Sequence, residues 1–127
     1  MSQEKVLRVY QQRIFKFQRT IQKFRLEIEQ MEVQIKDKKV KVDHFDQLIK
    51  TIELDCISST NSISDLSKMQ ARIGFFNKKK SEVRVDLLKL ETKKDQTRVE
   101  LQTEVNNYVK LVNKSKIVKN HFLKLSR

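Results

Sequence analysis

The chain has 127 residues, of which 35% are charged, with a single glycine and no proline, so the residues that punctuate turns are almost absent and very few turns are expected. Its hydrophobic share of 38% is enough for a seam between helices but thin for a globular core. The formal net charge of +12 points to acidic partners, and no apolar run approaches the ~20 residues that a membrane-spanning helix needs.

Residues 2–5 hold no seam residue, and the first helix is predicted over about 5–58. Leu7, Ile14, Ile21, Ile28, Ile35, Val42, Ile49 and Cys56 recur every seven residues. Tyr10, Phe17, Phe24, Met31, Phe45 and Ile52 fill the interleaved positions, which only Lys38 interrupts. Apolar residues at alternating steps of three and four are the signature of a coiled-coil helix. The aromatics bury more area per position than Leu would, which suits a thin two-helix core. Over Leu7–Cys56 such a helix is ~75 Å long.

Ser58-Ser59-Thr60-Asn61-Ser62-Ile63-Ser64-Asp65 is rich in side chains that bond their own backbone, and no other segment shares this composition. A chain reversal is therefore predicted over about 59–65, with Ser62-x-x-Asp65 resembling a capping box for a second helix over about 66–125. That helix has two seam columns. One reads Leu66, Ile73, Lys80, Leu87, Lys94, Leu101, Tyr108, Ser115 and Phe122; the other reads Met69, Phe76, Val83, Leu90, Thr97, Glu104, Leu111, Val118 and Leu125. In an antiparallel pair, partners in each layer have residue numbers with a constant sum. Sums of 118 and 132 bury Lys38 against Lys80 and Lys94 respectively. A sum of 125 sets Lys38 opposite Leu87, Lys80 opposite Phe45 and Lys94 opposite Met31, and Ser59 opposite Leu66, and it is the expected register. Gly74 either bends the second helix or delays its start. An intact helix is expected, because the heptad passes through without a shift, and Phe75 falls off the seam. The fold class is thus all-α, a single antiparallel two-helix coiled-coil hairpin forming an elongated rod.

Nothing in the chain has the pattern of an active site. His44 and His121 lack the neighbours of a metal site, Cys56 occupies a seam position, and one glycine cannot make a phosphate-binding loop. No enzyme activity, cofactor or metal is expected. One cysteine excludes an internal disulfide framework and fits a reducing cytoplasm, and Val6-Leu7-Arg8-Val9 is too short an apolar stretch for a signal peptide.

Charge is distributed unevenly. Residues 1–25 carry seven basic side chains against Glu4, residues 105–127 carry six and no acid, and the middle is neutral. In a hairpin the two basic segments lie together at the open end and suggest an acidic partner there. Leu26, Val33 and Val40 recur every seven residues opposite the seam, with Leu54 continuing the line after Gln47, and so form a candidate contact stripe.

The seam Leu7–Cys56, the turn Ser58–Asp65 and the two basic segments together resemble the central-stalk proteins of type III secretion systems, the FliJ/YscO family of flagellar export and virulence injectisomes. The resemblance covers the whole chain and rests on size, heptads and charge placement, without a diagnostic motif. It implies a cytoplasmic protein, peripheral to the secretion apparatus, whose joined termini enter the hexameric secretion ATPase and whose rod reaches the cytoplasmic domain of the export gate. Arg8, Arg13, Lys16, Lys114, Lys116 and Lys119 would then face the ATPase, and Leu26, Val33 and Val40 the gate or secretion chaperones. No membrane insertion is expected. The alternative is a basic coiled-coil nucleic-acid-binding or structural adaptor protein, although the basic segments stay inside the heptads and carry no nucleic-acid-binding signature.

Overall fold

The computed structural model describes residues 2–58 and 62–126, and these form two helices, α1 (Gln3–Ser58) and α2 (Ile63–Leu125). Among the described residues there is no strand, and none of the helices is long and apolar enough to cross a membrane. The two helices pack against each other, as the paired seams require. Their contacts gather into two compact units. A terminal unit comprises Met1–Gln30 and Lys94–Arg127, and a medial unit comprises Met31–Lys93.

Side-chain caps set where the helices begin. The Ser2 hydroxyl accepts a hydrogen bond from the Lys5 amide at 3.3 Å, and the Ser2 carbonyl accepts one from the Val6 amide at 3.4 Å. This satisfies amides that the first turn would leave unpaired and starts α1 at Gln3, two residues before the expected boundary. Ser62 repeats the device. Its hydroxyl accepts from the Asp65 amide at 3.2 Å and its carbonyl from the Leu66 amide at 3.0 Å. The helix therefore starts immediately after the cap, at Ile63 and not at the first seam residue, Leu66. Residues 59–61 of the expected turn, and with them the pairing of Ser59 with Leu66, lie outside the described residues. At the far end of α2 the Ser126 hydroxyl donates to the Phe122 carbonyl at 3.0 Å and, at 3.2 Å, to that of Leu123, occupying acceptors that the last turn exposes.

Every seam position of α1 from Leu7 to Cys56 is buried or half-buried, and so is every seam position of α2 from Met69 to Phe122. Leu66 and Leu125, in the first and last turns of α2, are exposed. The most buried apolar side chains of the terminal unit are Ile21 and Ile28, and Thr97 shares the layer of Ile28 in the expected register. Those of the medial unit are Met31, Ile35, Ile49 and Ile52. Among the described residues no side chain is completely enclosed, because two helices bury one seam and leave its edges open to solvent.

Cross-helix contacts in each unit follow the register in which Lys38 opposes Leu87. In the medial unit the Lys38 ammonium lies 3.8 Å from the Asp86 carboxylate, one residue from its layer partner. The Lys80 ammonium donates to Asp46 Oδ1 at 2.7 Å, again one residue from its layer partner, Phe45. Each lysine thus keeps its aliphatic stem in the seam and carries its charge to the edge, where an acid on the other helix meets it. Lys39 and Glu91 make a looser ion pair at 3.9 Å, and the rings of Phe45 and Phe76 lie 6.1 Å apart. In the terminal unit the Gln18 amide donates to the Tyr108 hydroxyl at 3.2 Å, beside the Phe17–Tyr108 layer.

The hydrogen bond from Lys80 holds the Asp46 carboxyl below its ordinary value of 3.8, with desolvation opposing and the charges of Lys80, Arg84 and Lys50 adding to the lowering. A depressed folded-state pKa stabilises the fold above the ordinary value, and that contribution disappears as pH falls through the folded value. Asp46→Asn should therefore unfold more easily in urea than the parent chain at neutral pH. The difference should close below pH ~3.8 and narrow in high salt, since the pair is partly exposed.

α2 runs unbroken through Gly74, whose missing side chain would meet nothing within 4 Å and whose φ is not positive. Gly74→Ala should raise stability by about 0.5–1 kcal/mol, read as an increase in the urea midpoint, because it removes backbone freedom from the unfolded chain at no steric cost. In contrast, Ile52→Ala should cost about 2–4 kcal/mol, since Ile52 is the most deeply buried side chain of the seam, whereas Val33→Ala on the outer face should change stability by less than about 0.5 kcal/mol.

Candidate functional site

A basic surface covers the terminal unit. Both charged end segments fall within it, giving fifteen basic against six acidic residues, while the medial unit has thirteen against ten. The unit therefore holds nine of the twelve net positive charges. Among the described residues, ion pairs at Lys38, Lys39, Lys79 and Lys80 lie in the medial unit. There the acids lie beside the bases, and in the terminal unit they are scarce.

The six candidate cations Arg8, Arg13, Lys16, Lys114, Lys116 and Lys119 are all exposed and all belong to the terminal unit. They come from two heptads of α1 and two of α2, which the antiparallel packing brings into one body. Arg13 and Lys16 line a shallow groove with Phe17 and Thr20 of α1 and Glu104 and Leu111 of α2. Lys114 lines a second groove with Phe17, Lys110 and Ile117. Glu104 sits half-buried at a seam position between the helices. Outward presentation of uncompensated cations produces a field of one sign that attracts an acidic surface and weakens as salt rises.

The candidate stripe opposite the seam is exposed at each position, with Leu26 in the terminal unit and Val33 and Val40 in the medial one. Leu26 lines a groove with Arg19, Gln22, Lys23, Glu27 and Gln30, so its surroundings are largely charged. Val33 and Val40 stand on the outer face of α1 in the medial unit, joined by exposed Leu54.

Two features escape a reading confined to the seams. Phe15 is 60% exposed, and the Arg19 guanidinium lies 5.8 Å from its ring centre in cation–π contact, over a groove lined also by Lys16, Thr20 and Lys23. Phe15 follows seam residue Ile14 directly, and an off-seam aromatic inside a basic segment was the signal that could have marked it. Phe75, expected off the seam, is exposed as well, with its ring edge-on to Phe76 at 5.5 Å and the Lys79 ammonium 5.6 Å from its centre. The second feature is a series of exposed aliphatics on α2, Val109, Ile117 and Leu123.

His44 and His121 are exposed helix residues whose rings lie against those of the adjacent Phe45 and Phe122. Among the described residues no group of three His, Cys, Asp or Glu could hold a metal ion. Cys56 is a half-buried thiol at its seam position. No protein-family profile matches the chain, and neither the curated proteins nor the solved structures contain a significant match to it.

Proposed function

We propose that this protein is a central stalk of a type III secretion system, of the FliJ/YscO kind, coupling the export ATPase ring to the export gate. The observation that carries the reading is the assembly of the two basic end segments into one compact unit with little acidic compensation. A positively charged body of paired helices is the form needed to enter an acidic central opening, where exposed Lys and Arg meet carboxylates without a preformed pocket. Arg8, Arg13, Lys16, Lys114, Lys116 and Lys119 are the proposed ATPase contacts. Leu26, Val33 and Val40 are the proposed surface for the gate's cytoplasmic domain or for secretion chaperones. In this reading the protein acts in the cytoplasm at the base of the secretion apparatus, including that of virulence injectisomes, and binds its partners without catalysing a reaction itself.

Replacing the six cations together by Glu should abolish stimulation of the cognate secretion ATPase while circular dichroism reports unchanged helix content. The substitutions are exposed, so the seam that holds the fold is untouched. Stimulation equal to that of the parent chain would reject the ATPase contact. Recovery of nucleic acid alone from the host cytosol, lost on nuclease treatment, would favour a nucleic-acid-binding coiled coil in its place.

A further inference from the structure

The last three heptads of α2 carry an outward face that the seam does not use. Tyr108, Leu111, Ser115, Val118 and Phe122 are half-buried against α1, and this leaves Val109, Lys116 and Leu123 at one heptad position and Lys110, Ile117 and Lys124 at the next. Each pair of neighbours therefore combines an aliphatic with an ammonium, three times over. Asn113 and Asn120 lie between them, and together these side chains occupy ~140° of arc at 100° per residue. Val109 is 48% exposed, Ile117 68% and Leu123 57%. No acid occurs anywhere from residue 105 to the end of the sequence.

We propose that this face of α2, from Val109 to Lys124, lies on the surface of a bilayer rich in anionic lipid. Aliphatic side chains gain nothing along a phosphate backbone, but they gain by entering the boundary between headgroups and acyl chains. Lysine is a compact charge that needs no particular partner geometry, which suits a fluid layer of headgroups. The face carries no arginine fork and no aromatic ring, the groups that read or stack on nucleic acid. A helix exterior is convex and meets a plane along its length. The association is shallow and salt-dependent, since three aliphatics anchor it and no helix among the described residues is long and apolar enough to cross a membrane. The inference does not rest on the stalk reading, although Lys116 belongs to both surfaces.

The test is sedimentation of the full chain with large vesicles, either pure phosphatidylcholine or phosphatidylcholine with roughly 30% phosphatidylglycerol. Binding to the anionic vesicles alone, weakening as salt rises, is expected. Ile117→Ser with Leu123→Ser should weaken it about tenfold with no change in net charge, and Lys110→Gln with Lys124→Gln should weaken it to a similar extent. Val33→Ser with Val40→Ser, on the other helix and in the other unit, should bind as the parent chain does. Absence of binding to anionic vesicles overturns the proposal. So does undiminished binding by the Ile117/Leu123 variant, which would mark a diffuse polycation effect, and so does tighter retention by RNA or single-stranded DNA than by vesicles. Val109→Ser with Leu123→Ser, whose side chains lie off the Lys114 groove, should weaken vesicle binding yet still stimulate the secretion ATPase in vesicle-free solution, so failure of the membrane surface and failure of the stalk reading give separate results.

Discussion

The single layer of side chains between two helices is the constraint on which the rest of this molecule depends. A globular core surrounds its residues on all sides, whereas a two-helix seam covers each residue from one side and leaves both edges wet. Even Ile52 and Ile35 retain some exposure for that reason. Burial per residue is correspondingly modest, and stability has to accumulate along the helices through repetition of the same small contact. Large aromatics in the first seam, such as Phe17, Phe24 and Phe45, increase the area each layer removes from water. The caps at Ser2 and Ser62 add what the seam cannot, since they satisfy amides at helix starts where packing is weakest.

Thin layers also make the polar seam residues decisive. An apolar layer tolerates several offsets, because one aliphatic is nearly as good a neighbour as another. Lys38 and Lys80 are less permissive. Each meets an acid on the opposite helix only when that acid lies beside its layer partner, and both conditions hold at the same offset, through Asp86 and Asp46. Shifting by one heptad in one direction sets the two lysines against each other. The ion pairs lie at the edge of the seam, in contact with water, so their desolvation cost is limited and their attraction is screened. Their contribution is selectivity among alignments more than depth of stability, which is the usual role of an isolated polar residue in a coiled coil.

Because the seams absorb the inward residues, recognition is left to the outward ones, and these divide by composition. In the medial unit acids accompany bases and the outer face is nearly neutral. In the terminal unit the acids are few, and the exposed apolar side chains Phe15, Ile117 and Leu123 stand among lysines and arginines. A surface that is both cationic and locally apolar suits partners that offer negative charge together with something greasy or planar. An ATPase opening and an anionic bilayer both meet that description. They would engage different residues of the same unit, apart from Lys116.

The sequence by itself determined the fold class, both seams and the alignment. Heptad spacing identifies a coiled coil, and the like-charge clashes of Lys38 with Lys80 or Lys94 eliminate the neighbouring registers without any coordinates. It also placed the basic segments and the stripe Leu26, Val33 and Val40, since outward position follows from the same period. The helix starts were displaced by two and three residues because capping depends on the backbone geometry of Ser2 and Ser62, which periodicity does not contain. The acids that receive Lys38 and Lys80 were visible as letters, but which of the flanking carboxylates each long side chain reaches depends on rotamer and on the tilt of the facing helix. The outward position of the lysine–aliphatic face of α2 follows from the same period, whereas the contact of Phe15 with Arg19 emerged only in three dimensions. A residue outside the seam has no partner imposed by the repeat, so only the packed helices decide what lies beside it.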